Sequence, residues 1–212
     1  MVQNLFHLIG CDAAKLFSAS PIYKLLPIAA VAVAFFAPQV ISFILLLVVY
    51  LLGYGLITYD EAYHTQNYYA FLPIRRSEYI IGKYAFTFVM TMIGILLCFG
   101  SSSLGSLILT DPGRPGFGEL SDYYALAFII AMVYLAIQYP FSIFLGGVKG
   151  RIVAMVFYFI LFFCAFSTDI MSRILSFMQS SSLFLLMVIS LLLYCISCTI
   201  VLSLYDKKDL IG

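Results

Sequence analysis

Apolar residues recur every three or four positions through the first twenty residues, at Val2, Leu5, Ile9, Ala13 and Leu16. Gln3, Asn4, His7, Lys15 and Ser18 fall mostly on the other side. This period predicts an amphipathic helix over residues 1–20, lying most simply in a membrane interface. The pattern then changes. Six long runs follow in which apolar residues occupy every face: about Pro21–Ala37, Gln39–Thr58, Ile80–Thr110, Tyr123–Leu145, Ile152–Thr168 and Leu183–Tyr205. About 20 apolar residues in a helix cross the hydrocarbon core of a bilayer. The runs therefore predict six transmembrane helices within residues 21–212. Pro38 closes the first run, and the very short hinge there makes the first two an antiparallel hairpin. The third run is longer than a bilayer requires, so Gly94, Gly100 and Ser101–Ser103 are the expected bend points.

Composition narrows the class. Of 212 residues, 64% are hydrophobic and only 10% charged. A soluble domain is about a quarter charged, so a water-soluble enzyme, a nucleic-acid binder and a disordered chain are all excluded. The expected fold is an all-α integral membrane protein. Basic residues orient it. Lys15, Lys24, Arg75, Arg76, Lys83, Lys149, Arg151, Lys207 and Lys208 fall on the side of the amino end, and only Arg114 and Arg173 on the other. The positive-inside rule then places both termini in the cytoplasm.

Candidate chemistry is sparse. All ten acidic residues stand in loops or at span ends, and neither histidine lies in a span. Ion-coupled carriers usually keep an ionisable group at membrane depth, so a carrier is disfavoured. There is no HExxH pair for a metal. Cys195 and Cys198 have CxxC spacing but no second pair, and read as small buried hydrophobes. No catalytic residue, metal site or bound cofactor is expected. No GxxxxGK[ST] loop is present to cradle a nucleotide, so any ATPase must be another chain. Two small-residue pairs suit helix packing, Ser101/Gly105 and Gly146/Gly150. The second brackets Lys149 and reads as a tight cytoplasmic turn.

The one large cytoplasmic loop, residues 59–83, reads YDEAYHTQNYYAFLPIRRSEYIIGK. Asp60 and Glu61 open it, where acids favour a helix amino end. Tyr63, Asn67 and Phe71 repeat at four-residue spacing, as do His64 and Tyr68. A short helix across the cytoplasmic face is expected, ended at Leu72 by Pro73. Arg75 and Arg76 follow, and Ser77 and Glu78 can start the next helix. One reading is an ordinary interfacial loop, with tyrosines as headgroup anchors and arginines on anionic lipid. The other is a docking element for a soluble partner.

These residues resemble a known family. Asp60-Glu61, then Leu72-Pro73 followed by Arg76, Lys83-Tyr84 opening the third span, and the closing Leu204-Tyr205-Asp206-Lys207-Lys208 are similar to short permeases of the type 2 ABC exporters. The branch they resemble is the small Gram-positive one that includes the phenol-soluble-modulin exporter permeases. The span order resembles that family along the whole chain, although His64, Tyr68 and Tyr69 make the loop more aromatic and less basic. The resemblance implies a half-transporter in the plasma membrane of a bacterium. Two permease chains, identical or related, pair with two ABC ATPase subunits that carry the ATP and Mg. Coupling falls to Asp60, Glu61, Tyr63, His64, Asn67, Tyr68, Leu72, Pro73, Arg75 and Arg76. In the second span, Phe43, Tyr50 and Tyr54 are candidates for an apolar substrate cavity suited to amphipathic or antimicrobial peptides. Core packing or lipid contact is the competing account of these aromatics. A non-transporting scaffold or sensor, using the same loop to bind a partner, is the alternative function.

Overall fold

The computed structural model describes residues 2–62, 76–109, 114–166 and 182–208. They form α1 (Val2–Ala19), α2 (Ile22–Phe36), a 3-10 turn (Pro38–Val40), α3 (Ile41–Ala62), α4 (Arg76–Ile108), α5 (Phe117–Phe166) and α6 (Leu183–Lys208). No strand occurs among the described residues. Helix α3, α4 from Ser77, α5 as far as Gly146, and α6 are each long and apolar enough to cross a bilayer. The all-helical membrane architecture expected from the apolar runs is therefore present.

Helices α1 and α2 meet at 93°. That angle suits a helix lying across the ends of the others. It does not, however, lie free. Leu8, Asp12 and Leu16 form a buried stripe that faces α4 and α3. Ile9 and Ala13, central to the expected apolar face, are only partly buried.

Helix α4 runs as one element through Gly94, Gly100 and the serines. The serines serve packing instead of bending. Ser101 Oγ donates to Val31 O at 2.9 Å, and Ser102 Oγ to Ala34 O at 2.8 Å. A Cβ on Gly105 would stand 2.6 Å from the carbonyl oxygen of Phe35. The Ser101/Gly105 pair thus brings the backbones of α4 and α2 together within one chain. Just beyond, Arg114 Nη2 donates to Phe35 O at 2.5 Å and Phe36 O at 3.3 Å. A cation there satisfies carbonyls that a helix end leaves without partners.

Helix α5 is broken at Gly146, where φ is 80° and ψ 168°. Only glycine adopts that region without strain. The two arms match the fourth and fifth apolar runs, and the Gly146/Gly150 pair sits at the turn between them.

Helix α3 is the axis of the bundle. One buried cluster packs Tyr50 and Ile57 of α3 with Tyr84, Tyr134, Tyr139 and Tyr194 from α4, α5 and α6. A second packs Leu45 and Leu56 with Leu16, Tyr23, Phe86 and Tyr124. The tyrosine hydroxyls are used internally. Tyr194 Oη donates to Tyr84 O at 2.7 Å, and Tyr139 Oη to Thr87 Oγ1 at 3.1 Å. Hydroxyls in an apolar interior require such partners.

Candidate functional site

Several elements converge at one end of the bundle. The rings of Tyr23, at the start of α2, and Tyr59, near the end of α3, are 6.0 Å apart. Glu61 Oε1 lies 3.4 Å from where a Cβ on Gly146 would be. The Arg151 guanidinium sits over the ring of Tyr54, 5.0 Å from its centroid. The end of α3, the start of α2 and the break in α5 therefore share this end.

Four charges meet there, three of them enclosed and Lys15 partly exposed. Lys83 Nζ is 2.7 Å from Asp12 Oδ1 and 2.5 Å from Asp60 Oδ2. Lys15 Nζ is 2.8 Å from Asp60 Oδ1 and 3.5 Å from Asp12 Oδ1. Tyr79 Oη donates to Asp60 Oδ2 at 2.5 Å, and Lys83 Nζ lies 5.1 Å from the Tyr79 ring centroid. Asp12, Asp60 and Lys83 are almost fully buried. Among these four described side chains, two carboxylates balance two ammoniums. That balance makes burial tolerable, because an unpaired buried charge is far costlier than a paired one.

This arrangement corrects the picture of spans without buried charge. Lys83 stands inside α4, and Asp60 faces the bundle. The signal was in the sequence: Asp12 sits midway between Leu8 and Leu16 on one helix face. An acid on a buried face needs a partner there, and a basic residue from another helix can supply one from the core side.

Of the other expected coupling residues, Glu61 is half-buried near the end of α3. Arg76 is the first residue of α4. Tyr63, His64, Asn67, Tyr68, Leu72, Pro73 and Arg75 lie outside the described residues. Tyr50 is a core residue. Its ring stands 6.4 Å from that of Tyr134 and 5.4 Å from that of Tyr158. Tyr54 stacks on Tyr50 at 6.1 Å, and Phe43 is partly buried. None of the three lines the apolar crevice of about 60 Å³ between α2, α3 and α4. Tyr23, Pro27, Leu45, Met90, Gly94 and Cys98 do.

No curated protein and no solved structure matches the chain. A family model described as ABC-2 family transporter protein matches residues 13–206. That stretch takes in the clustered charges from Lys15 onward, the convergent helix ends and every long apolar helix, and the chain belongs to the ABC-2 transporter family.

Proposed function

We propose that this chain is the membrane permease of an ABC exporter that moves amphipathic peptides out of a bacterial cell. As an ABC-2 family member it is a non-catalytic membrane subunit with an ABC ATPase as partner. Six spans, cytoplasmic termini, a pair of permeases and two ATPases complete the proposed assembly. Within it, segment 63–75 docks the ATPase. Glu61 and Arg76 flank that segment, and Tyr63, His64, Asn67, Tyr68, Leu72, Pro73 and Arg75 belong to it.

One observation carries the reading. Asp60 and Lys83 are paired across the two helices that flank the segment. The two helices that bound the segment are thus tied to each other, and force applied between them reaches both together. Asp60 serves that tie from inside the bundle. The placing of basic residues supports the cytoplasmic side, because Lys15, Lys83 and Arg151 all belong to this end. Outward transport of amphipathic peptides accords with the apolar lining of the crevice between α2, α3 and α4. The small-branch resemblance of the loop and the carboxyl end points the same way.

The test is a carboxyl-terminal tag, gentle extraction from native membranes and identification of what co-purifies. A soluble chain carrying GxxxxGK[ST], at about one per permease, is expected. Inverted vesicles holding both chains should then take up a labelled amphipathic helical peptide only with MgATP. Binding without ATP-driven uptake of any peptide would favour a scaffold. Uptake under an ion gradient without ATP would favour a carrier.

A further inference from the structure

The four charges form a closed ring. Each lysine touches both aspartates, and each aspartate both lysines. The ring joins three helices: Asp12 and Lys15 come from α1, Asp60 from α3 and Lys83 from α4. Asp60 stands two residues before the end of α3, and Lys83 in the second turn of α4. Apolar side chains would hold three helices together without the desolvation that ions incur. What the ring adds is a directional tie. Withdrawing any one helix from it leaves a buried charge with fewer partners.

We propose that Asp12 and Lys83 are positioning residues for coupling. They tie α1 to the α3–α4 pair, so that motion delivered at segment 63–75 moves all three helices as one body. This rests on the permease reading above. It gives α1 a mechanical role beyond anchoring in the interface, since Asp12 is the α1 group that reaches Lys83 of α4, beside the Lys15–Asp60 contact to α3.

The exchange Asp12→Cys with Lys83→Cys tests it, with Cys11, Cys98, Cys164, Cys195 and Cys198 replaced by Ser. Removing both partners cuts the ionic ties of α4 to α1 and to α3, and leaves Lys15 and Asp60 paired, so no buried charge is stranded. A short reducible bis-methanethiosulfonate linker then restores the tie covalently. The readout is hydrogen exchange in the full permease–ATPase complex, with and without MgATP and vanadate, over α1 and residues 114–122. In the cysteine-free parent, nucleotide should change exchange in both regions. In the uncrosslinked variant the ATPase should still co-purify and hydrolyse ATP, while the nucleotide-dependent change falls at least tenfold. Cross-linking should return it to the parent level. A parental response without the linker, or a response abolished by it, overturns the proposal. Should the cysteine pair fail to fold, Asp12→Leu with Lys83→Met supplies an apolar version without the directional tie to α4, with the same loss expected and a parental response again fatal. If no ATPase co-purifies with the parent, the permease reading has failed, and the coupling role falls with it.

Discussion

Ser197 Oγ donates to the carbonyl oxygen of Ala136 at 2.7 Å. Ala136 lies four residues before Pro140, which sits inside α5. A proline has no N–H, so the carbonyl four residues earlier loses its helical partner. The α6 serine supplies the missing donor. Ser197 also lies 3.0 Å from the hydroxyl of Tyr84 on α4. A hydrogen bond missing from one helix has thereby become a joint between three.

The first prediction follows from that pairing. Ser197→Ala should destabilise the protein by about 1 kcal/mol, in the range of hydrogen bonds measured inside membranes. The loss should depend on Pro140. In a Pro140→Ala background the Ala136 carbonyl regains its own helical N–H, and Ser197→Ala should then cost much less. A double-mutant cycle on thermal unfolding in detergent measures the difference. Equal costs in both backgrounds would show that Ser197 acts through Tyr84 alone.

Gly146 gives a second. Its φ of 80° with ψ near 168° is a conformation side chains avoid. Gly146→Ala should lower stability by about 1–3 kcal/mol. Gly150→Ala should also be harmful, because its Cβ would stand 2.6 Å from Ser142 Cα. Gly100→Ala has nothing within 4 Å and serves as the neutral control. Folded yield by size-exclusion chromatography and the melting temperature should rank the three in that way.

The apolar runs were enough to locate the helices, because burial in a bilayer demands apolar residues on every face of a span. They located the Gly146 turn as well, since a glycine pair around a lysine has few other uses in such a chain. The ionic ring was harder to read. Its bonds join residues 45 and 71 positions apart, and no local period reports such a distance. Asp12 looks like a break in an amphipathic helix until Lys83 is placed beside it. Ser101 and Gly105 announce a close helix contact but not its partner, which is α2. For Tyr50, size and aromatic character do not separate a cavity wall from a core. Only the positions of Tyr134 and Tyr158 decide for the core.

Arg114 supports a third prediction. Its guanidinium bonds to Phe35 O and Phe36 O at the carboxyl end of α2. Arg114→Ala should destabilise the protein by about 1–3 kcal/mol, the usual cost of removing a charged donor. Arg114→Lys should restore only part of it, because an ammonium lacks the planar fork. Thermal unfolding of the two variants checks the order. The loss should appear as faster hydrogen exchange in the last turn of α2, with α6 unaffected. Uniformly faster exchange would point to a role in the whole fold instead of one helix end.

The flanks of segment 63–75 carry the last prediction. Glu61 stands one residue before the end of α3, and Arg76 is the first residue of α4. Exchanging both for Ala should leave membrane insertion and the melting temperature close to wild type. The amount of ATPase retained on the tagged permease should fall about tenfold, which corresponds to about 1.4 kcal/mol of binding. Tyr68→Asp is the harsher companion. A charge set into a buried contact face is disfavoured by desolvation, so retention should drop further if Tyr68 is covered by the ATPase. Full retention in the double variant would remove Glu61 and Arg76 from the docking surface. Full retention with Tyr68→Asp would return that tyrosine to the membrane interface, as a headgroup anchor. The two variants separate a docking loop from a lipid-facing one, because a lipid-facing loop has no reason to hold the ATPase through either position.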